Sequence, residues 1–186
     1  VKIIGLCGKP RAGKNAAAEI AAALVPGTAI ITFSDEIVEE CARLLGIDPA
    51  TINADKEHYR PFMQWYGFDH KRREDEEYWV KKIEAKLDAA AHGWAPFTAP
   101  ANLAMVSGVR ALNEWVMIKR RGGVVFEVIG NNGRYGSYAH ACENQNIPTD
   151  GTIKNLGSLE ELRGEMEWRV RRVMFPPPSW KPKQPR

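Results

Sequence analysis

The chain is poor in cysteine, in long apolar runs and in charge of one sign, and each shortage removes a class of protein. Its 186 residues hold three cysteines, Cys7, Cys41 and Cys142, far apart and never in a CxxC spacing. That pattern excludes a disulfide framework and a cysteine zinc site, and it points to a reducing compartment. No apolar run approaches the roughly 18 residues that a membrane span needs, and the chain opens on a strand-like segment instead of a basic, apolar leader. A cytoplasmic protein with no membrane partner is the expectation. Basic residues number 26 against 23 acidic ones, and the formal charge of +3 supplies no strongly basic surface. A small anionic ligand fits this balance as well as nucleic acid does, and nucleic acid is not the expected partner. No internal repeat is visible.

What is present is ordinary soluble-domain material, 44% hydrophobic and 26% charged, long enough for one sizeable core. "VKIIGLCG" is a β-branched apolar run stopped by glycine, and "KNAAAEIAAAL" after it favours helix. "TAIITF" and "SDEIVEECARLLG" repeat the strand-helix order. Ser34 is placed as the cap of that helix, and Ile37, Val38, Cys41, Leu44 and Leu45 share one face before Gly46. Residues 48–100 break the alternation with two helical stretches, "EHYRPFMQWYGF" and "REDEEYWVKKIEAKLDAAAHG", around a charged turn. "NLAMVSG", "RALNEWVMIKRRGG" and "VVFEVIG" then restore strand, helix and strand.

The polar, glycine-rich segment 130–150 suits a lid-like loop. A short strand around Ile153 precedes a last helix, where Ser158 and Glu161 have capping-box spacing. Residues 176–186, "PPPSWKPKQPR", read as an extended proline-rich tail after a single domain over 1–175. The alternation predicts an α/β fold, a mostly parallel sheet of about five strands flanked by helices, with ligands at the carboxyl ends of the strands.

Gly8 to Lys14 reads GxxxxGK, between a strand and a helix. Glycines there let successive N–H groups converge on phosphate oxygens, and the following helix adds its positive end. Gly8, Arg11, Ala12, Gly13, Lys14, Asn15 and Ala16 are the candidate ATP-binding residues, with Lys14 reaching the β- and γ-phosphates. The alternative is a glycine-rich turn that only connects two elements. Asn15 stands where a serine or threonine hydroxyl ordinarily holds magnesium.

With "YRPFMQWYG", "VRALNEW", "HACE" and "DGTIKNLGSLEEL" following in order, the chain resembles the deoxynucleoside monophosphate kinases of bacteriophages, P-loop kinases related to the adenylate kinase group, from Val1 to about Val173. The resemblance implies a three-layer P-loop kinase fold with a helical substrate-binding insertion and a short lid. It also implies phosphoryl transfer from ATP to a deoxynucleoside monophosphate, with ATP and Mg2+ as cofactors, and a possible homodimer. A site joining two polyanions needs several cations and little else.

Arg60 is accordingly assigned to the acceptor phosphate and Gln64 to base or sugar, the alternative being one solvated helix face. Arg72 and Arg73 sit in a charged turn where the family places a substrate-facing arginine. Trp65, Tyr66 and Trp79 either stack on a base or, as is commoner at helical spacing, belong to the core. Lys14, Arg110 and Arg134 are the candidate catalytic residues: Arg110 at the end of the third strand, Arg134 alone in the lid-like loop. Asn113 and Glu114 are read as fixing the local turn, and His140 and Glu143 as structural near the lid base. Asp150 and Asn155 match family positions near the adenine.

Departures from the family pattern concentrate at the metal. Ala16 replaces a common threonine and Gly108 an aspartate, while Cys142 stands for a serine. The family often carries aspartate at position 15. Asn15 and Asp35 are the candidate metal residues, Asp35 through water, although an acid in a first helical turn also explains Asp35. Two other readings stay open: a different small-molecule kinase such as a phosphomevalonate kinase, or a nucleotide-binding protein with impaired catalysis whose Lys181, Lys183 and Arg186 touch nucleic acid weakly.

Overall fold

The computed structural model describes residues 1–131 and 146–180. Its sheet has five parallel strands, β1 (Lys2–Cys7), β2 (Thr28–Thr32), β3 (Leu103–Ser107), β4 (Val124–Gly130) and β5 (Gly151–Asn155), in the spatial order β2-β3-β1-β4-β5. Period-two alternation sends β1 side chains to both faces. Ile3 and Cys7 join one apolar cluster; Ile4 and Leu6 join another. On the first face pack α2 (Phe33–Leu45), α6 (Tyr78–His92) and α7 (Leu112–Arg120), through Val38, Cys41, Ile83, Leu87 and Ile118. On the second pack α1 (Lys14–Leu24) and α8 (Leu159–Met174), through Ala17, Ala21, Leu162 and Met166. The result is a three-layer α/β fold in which both sheet faces are covered, as parallel strands require.

Between β1 and β3 the strand order reverses direction, so the crevice outside their carboxyl ends is the topological switch point where ligands bind in such sheets. The opposite edge is closed by a buried ion pair. Lys119 Nζ donates to Asp150 at 2.9 and 3.1 Å, and Asp150 also accepts from the Val125 N–H at 2.8 Å. Asp150 therefore stands just before the amino end of β5, where its carboxylate is taken up by Lys119 and the β4 backbone rather than facing the glycine loop. Removing either partner of such a pair costs about 3–5 kcal/mol.

Several helix ends differ from the sequence reading. Helix α2 starts at Phe33 with Thr32 at its cap position and no side-chain cap, so Ser34 lies inside the helix. Ser158 and Glu161 do form the capping box, at 3.2 and 2.7 Å.

The insertion differs most. The stretch 69–74, read as a turn, is helical: α3 (Pro49–Ala54) and α4 (Lys56–Gln64) are followed by a π-helical turn, Trp65–His70, and by α5 (Lys71–Glu74). Pro61 lies within α4 and has no N–H to give, and a widened turn follows it, as such turns do at many functional sites. Asp48 and Asp55, each accepting from a backbone N–H two or three residues on, start the two short helices. Residues 176–180 do not extend away: the Trp180 N–H returns to the Pro177 carbonyl at 2.9 Å, and its ring packs on the α1/α8 cluster.

Candidate functional site

At the switch point lies a cleft of about 400 Å³, bounded by the glycine loop, the start of α2, the helical insertion and the β3–α7 loop. Loop geometry follows from its residues. Gly8 and Gly13 have φ of 120° and 98°, and a Cβ on Gly13 would stand 2.1 Å from Asn155 Nδ2. That amide in turn donates to the Ala12 carbonyl at 2.9 Å. Asn155, at the carboxyl end of β5, is thus a buttress of the loop. Ala12 is its buried floor and gives its own N–H to the Lys9 carbonyl at 3.2 Å. Lys14 donates to the carbonyls of Gly8 and Lys9 at 2.8 and 2.7 Å, which holds the ammonium over the loop's concavity. Cys7 beneath it is buried, and burial together with Glu127 pushes its thiol up to about 12. It stays protonated at neutral pH and supplies no nucleophile.

Across the cleft from the loop stand Arg60, Gln64 and Arg72 from the insertion and Arg110 from the β3–α7 loop; with Lys14 and Asn15, all line it. Sequence separation hides this grouping and the sheet topology produces it. Arg73 and Asp35 do not join them. Arg73 is exposed and borders a shallow depression on the outer side with Glu76 and Asn113. Asp35 is an exposed acid in the first turn of α2 and is absent from the cleft lining, as the simpler reading of an acid at a helix start has it. Arg134, His140, Cys142 and Glu143, with most of the lid-like segment, lie outside the described residues, as do Lys181, Lys183 and Arg186.

Two carboxylates organise the cations. Glu114, 1% exposed, takes the Arg110 and Ala111 N–H groups on Oε2 at 2.6 and 3.1 Å and an ion pair from Arg72 on Oε1. Arg72 also donates to Asn113 Oδ1 at 3.3 Å. The predicted turn-fixing role of Asn113 and Glu114 therefore holds, and Glu114 additionally aims Arg72. Glu57 accepts from Arg11 Nη2 at 2.7 Å and from Arg60 at 2.8 and 3.1 Å. The Arg60 hydrogen bonds, opposed by burial and helped to a smaller extent by Arg11, hold the Glu57 carboxyl down at about 2. Arg11 itself adopts φ of 60°, the left-handed region.

Apolar walls complete the cleft. Phe33, Ile37, Met63 and Phe68 line it beside Trp79, whose indole N–H donates to the Gly67 carbonyl at 2.7 Å. Tyr66 is buried and donates to Glu40 at 2.7 Å. Tyr66 and Trp79 are core residues, whereas Trp65 is half exposed and stacks on His70 at 5.3 Å. Phe33 and Phe68 are aromatic rings in the cleft that sequence reading passed over, and Phe68 lies in the π-helical turn, which no periodicity of 3.6 anticipates.

The cation corner carries neutral oxygens. Ser107, the buried last residue of β3, donates to Asn15 Oδ1 at 3.4 Å, and both line the cleft. Gly108 after it has φ of 86°, so a side chain there is strained whatever the room. Among the described residues no group of three or more His, Cys, Asp or Glu side chains could hold a metal ion. Asn15 and Ser107 offer a metal ion only neutral or water-mediated contacts.

No family model matches the chain, and no sequence among curated proteins matches it. Among solved structures it is similar to the crystal structure of TT1252 from Thermus thermophilus, at 16% identity and a TM-score of 0.52, over 92% of this chain and 97% of that one. At that identity the likeness shows the fold alone: a helix-flanked, parallel α/β sheet. No described helix is long and apolar enough to cross a membrane.

Proposed function

We propose that this protein is an ATP-dependent kinase that phosphorylates a deoxynucleoside monophosphate. One observation carries the reading: a glycine loop that opens helix α1 with Lys14 faces Arg60, Arg72 and Arg110 across a single cleft with apolar walls. One polyanion fits the glycine loop and the α1 amino end. A second phosphate fits the arginines opposite, and its base fits between Phe68 and Met63 within reach of Gln64. Lys14 and Arg110 stabilise charge on the transferring group, which is most of what a loose phosphoryl-transfer transition state asks of a protein. Asn15 and Ser107 would hold magnesium, directly or through water, and the metal would supply neutralisation of phosphate charge.

A coupled ADP-release assay over the four common deoxynucleoside monophosphates and their ribose versions tests the reading. Turnover with one or more acceptors, lost in Lys14→Ala, is the expected result. Wild type indistinguishable from Lys14→Ala with every acceptor refutes it. The neutral cation corner favours a second reading, a nucleotide-binding protein of impaired catalysis, for which ATP binds without turnover.

A further inference from the structure

We propose that Glu57 is a positioning residue that stands in for substrate phosphate, bridging the glycine loop and the acceptor helix so that the two phosphate sites fill cooperatively. The inference rests on the kinase reading and adds to it a coupling between its two sites. Glu57 and Arg60 lie one turn apart on α4, and Arg11 lies 46 residues away in the loop. A single carboxylate oxygen, Oε1, receives Nη2 of both arginines, at 2.7 and 2.8 Å, while Oε2 receives Arg60 Nε at 3.1 Å. This fork-on-carboxylate geometry is the one in which guanidinium grips phosphate. Both arginines line the cleft with Glu57 between them.

A phosphate monoester arriving at Arg60 brings about two negative charges to the place a carboxylate holds with one. Like charges at contact distance repel, so Glu57 leaves, and its 47% side-chain exposure gives it solvent to turn into. Arg11 then meets the second polyanion without first parting from Glu57. Whichever ligand binds first does the work of displacement, and the second is spared it, which is positive coupling and must be reciprocal. The same exchange favours dianionic ligands: a neutral nucleoside leaves the bridge intact, and a monoanion replaces one charge by one.

Calorimetric titration of the full chain with the non-hydrolysable analogue AMP-PNP and Mg2+ tests this, alone and with an equimolar mixture of the four common deoxynucleoside monophosphates. In wild type the mixture tightens AMP-PNP binding about fivefold or more, the lower end of ordinary coupling. Glu57→Gln, an exposed isosteric change, binds AMP-PNP alone more tightly than wild type does, and the mixture changes its affinity by less than about twofold. Glu57→Asp, charged but too short to span both arginines, also loses the coupling. A wild-type ratio of one or below, or a Glu57→Gln ratio equal to that of wild type, overturns the role of Glu57 while leaving the kinase reading intact. Failure of wild type to bind AMP-PNP at all overturns both.

Discussion

The two sides of the cleft are built on opposite principles. On the loop side, Gly8 to Lys14 are contiguous, and the groups suited to phosphate are mostly backbone, shaped by positive φ values and braced by Asn155. On the insertion side they are side chains from α4, α5 and the β3–α7 loop, each placed by a carboxylate: Glu57 for Arg60, and Glu114 for Arg72 and the Arg110 backbone. A backbone cradle keeps its shape when one side chain is changed. A side-chain cradle depends on its positioning acids, so chemistry and stability are separable on the first side and entangled on the second.

The largest expected effect falls on the loop. Lys14 is half-buried and donates to the carbonyls of Gly8 and Lys9, and on the kinase reading Lys14→Ala should lower kcat by about a thousandfold, the upper range for one transition-state donor. The thermal midpoint should stay within a degree or two, since surface changes are worth about 0.5 kcal/mol or less. Steady-state kinetics beside a melting curve checks both. Arg110→Ala should lower kcat by about a hundredfold with little change in the KM for ATP, because a contact made chiefly in the transition state does not show in ground-state binding. A rise in KM with kcat preserved would move Arg110 from transfer to binding.

Glu114→Ala should show the entanglement. It removes a 1%-exposed acid that serves Arg72 and two N–H groups at once, at a cost of about 3 kcal/mol in stability. Activity should fall with it, through the KM of the acceptor as Arg72 loses its aim. Denaturant unfolding measures the first effect and acceptor titration the second. If acceptor KM is unchanged while stability drops, Arg72 does not belong to the acceptor side.

The same contrast explains what could be read from the chain. The loop's conformation was legible because it is local: a strand, a glycine spacing, a lysine and a helix stand within about two dozen residues. All five strands, and Ser158 with Glu161 as a capping box, were legible through local patterning of the same kind. The helical course of 69–74 was not, because a run of charged residues reads as a solvated turn while tertiary packing after Pro61 makes it a widened helix. Arg72 over Arg73, Phe68 over Trp65, and the displacement of Asp150 to the far edge of the sheet all depend on which way a helix face or strand end points. Glu57 gave no signal beyond its i, i+3 spacing to Arg60, since its partner Arg11 is remote in sequence. Ser107 could have been found: in an open parallel sheet, the last residue of a strand beside the glycine loop is a place to look for a cleft-lining polar group.

The smallest expected effect returns to the loop and asks whether its neutral cation corner is deliberate or merely tolerated. Asn15 is exposed, and Ser107 fixes its amide oxygen at 3.4 Å. Asn15→Asp adds one negative charge beside the phosphates without changing shape. A unit charge at about 4 Å in water-like surroundings is worth about 1 kcal/mol, close to a fivefold change in an equilibrium constant. Without magnesium the new carboxylate repels ATP, so AMP-PNP should bind about fivefold more weakly. With magnesium the sign reverses, because the cation stands between carboxylate and phosphate, and half-saturation should need about fivefold less metal. Calorimetric titrations with and without Mg2+ read both signs independently of turnover, and the acceptor KM measured at saturating ATP and Mg2+, where the coupling through Glu57 is already complete, should not move. A shift in that KM with Asn15→Asp would place Asn15 against the acceptor as well as beside the metal.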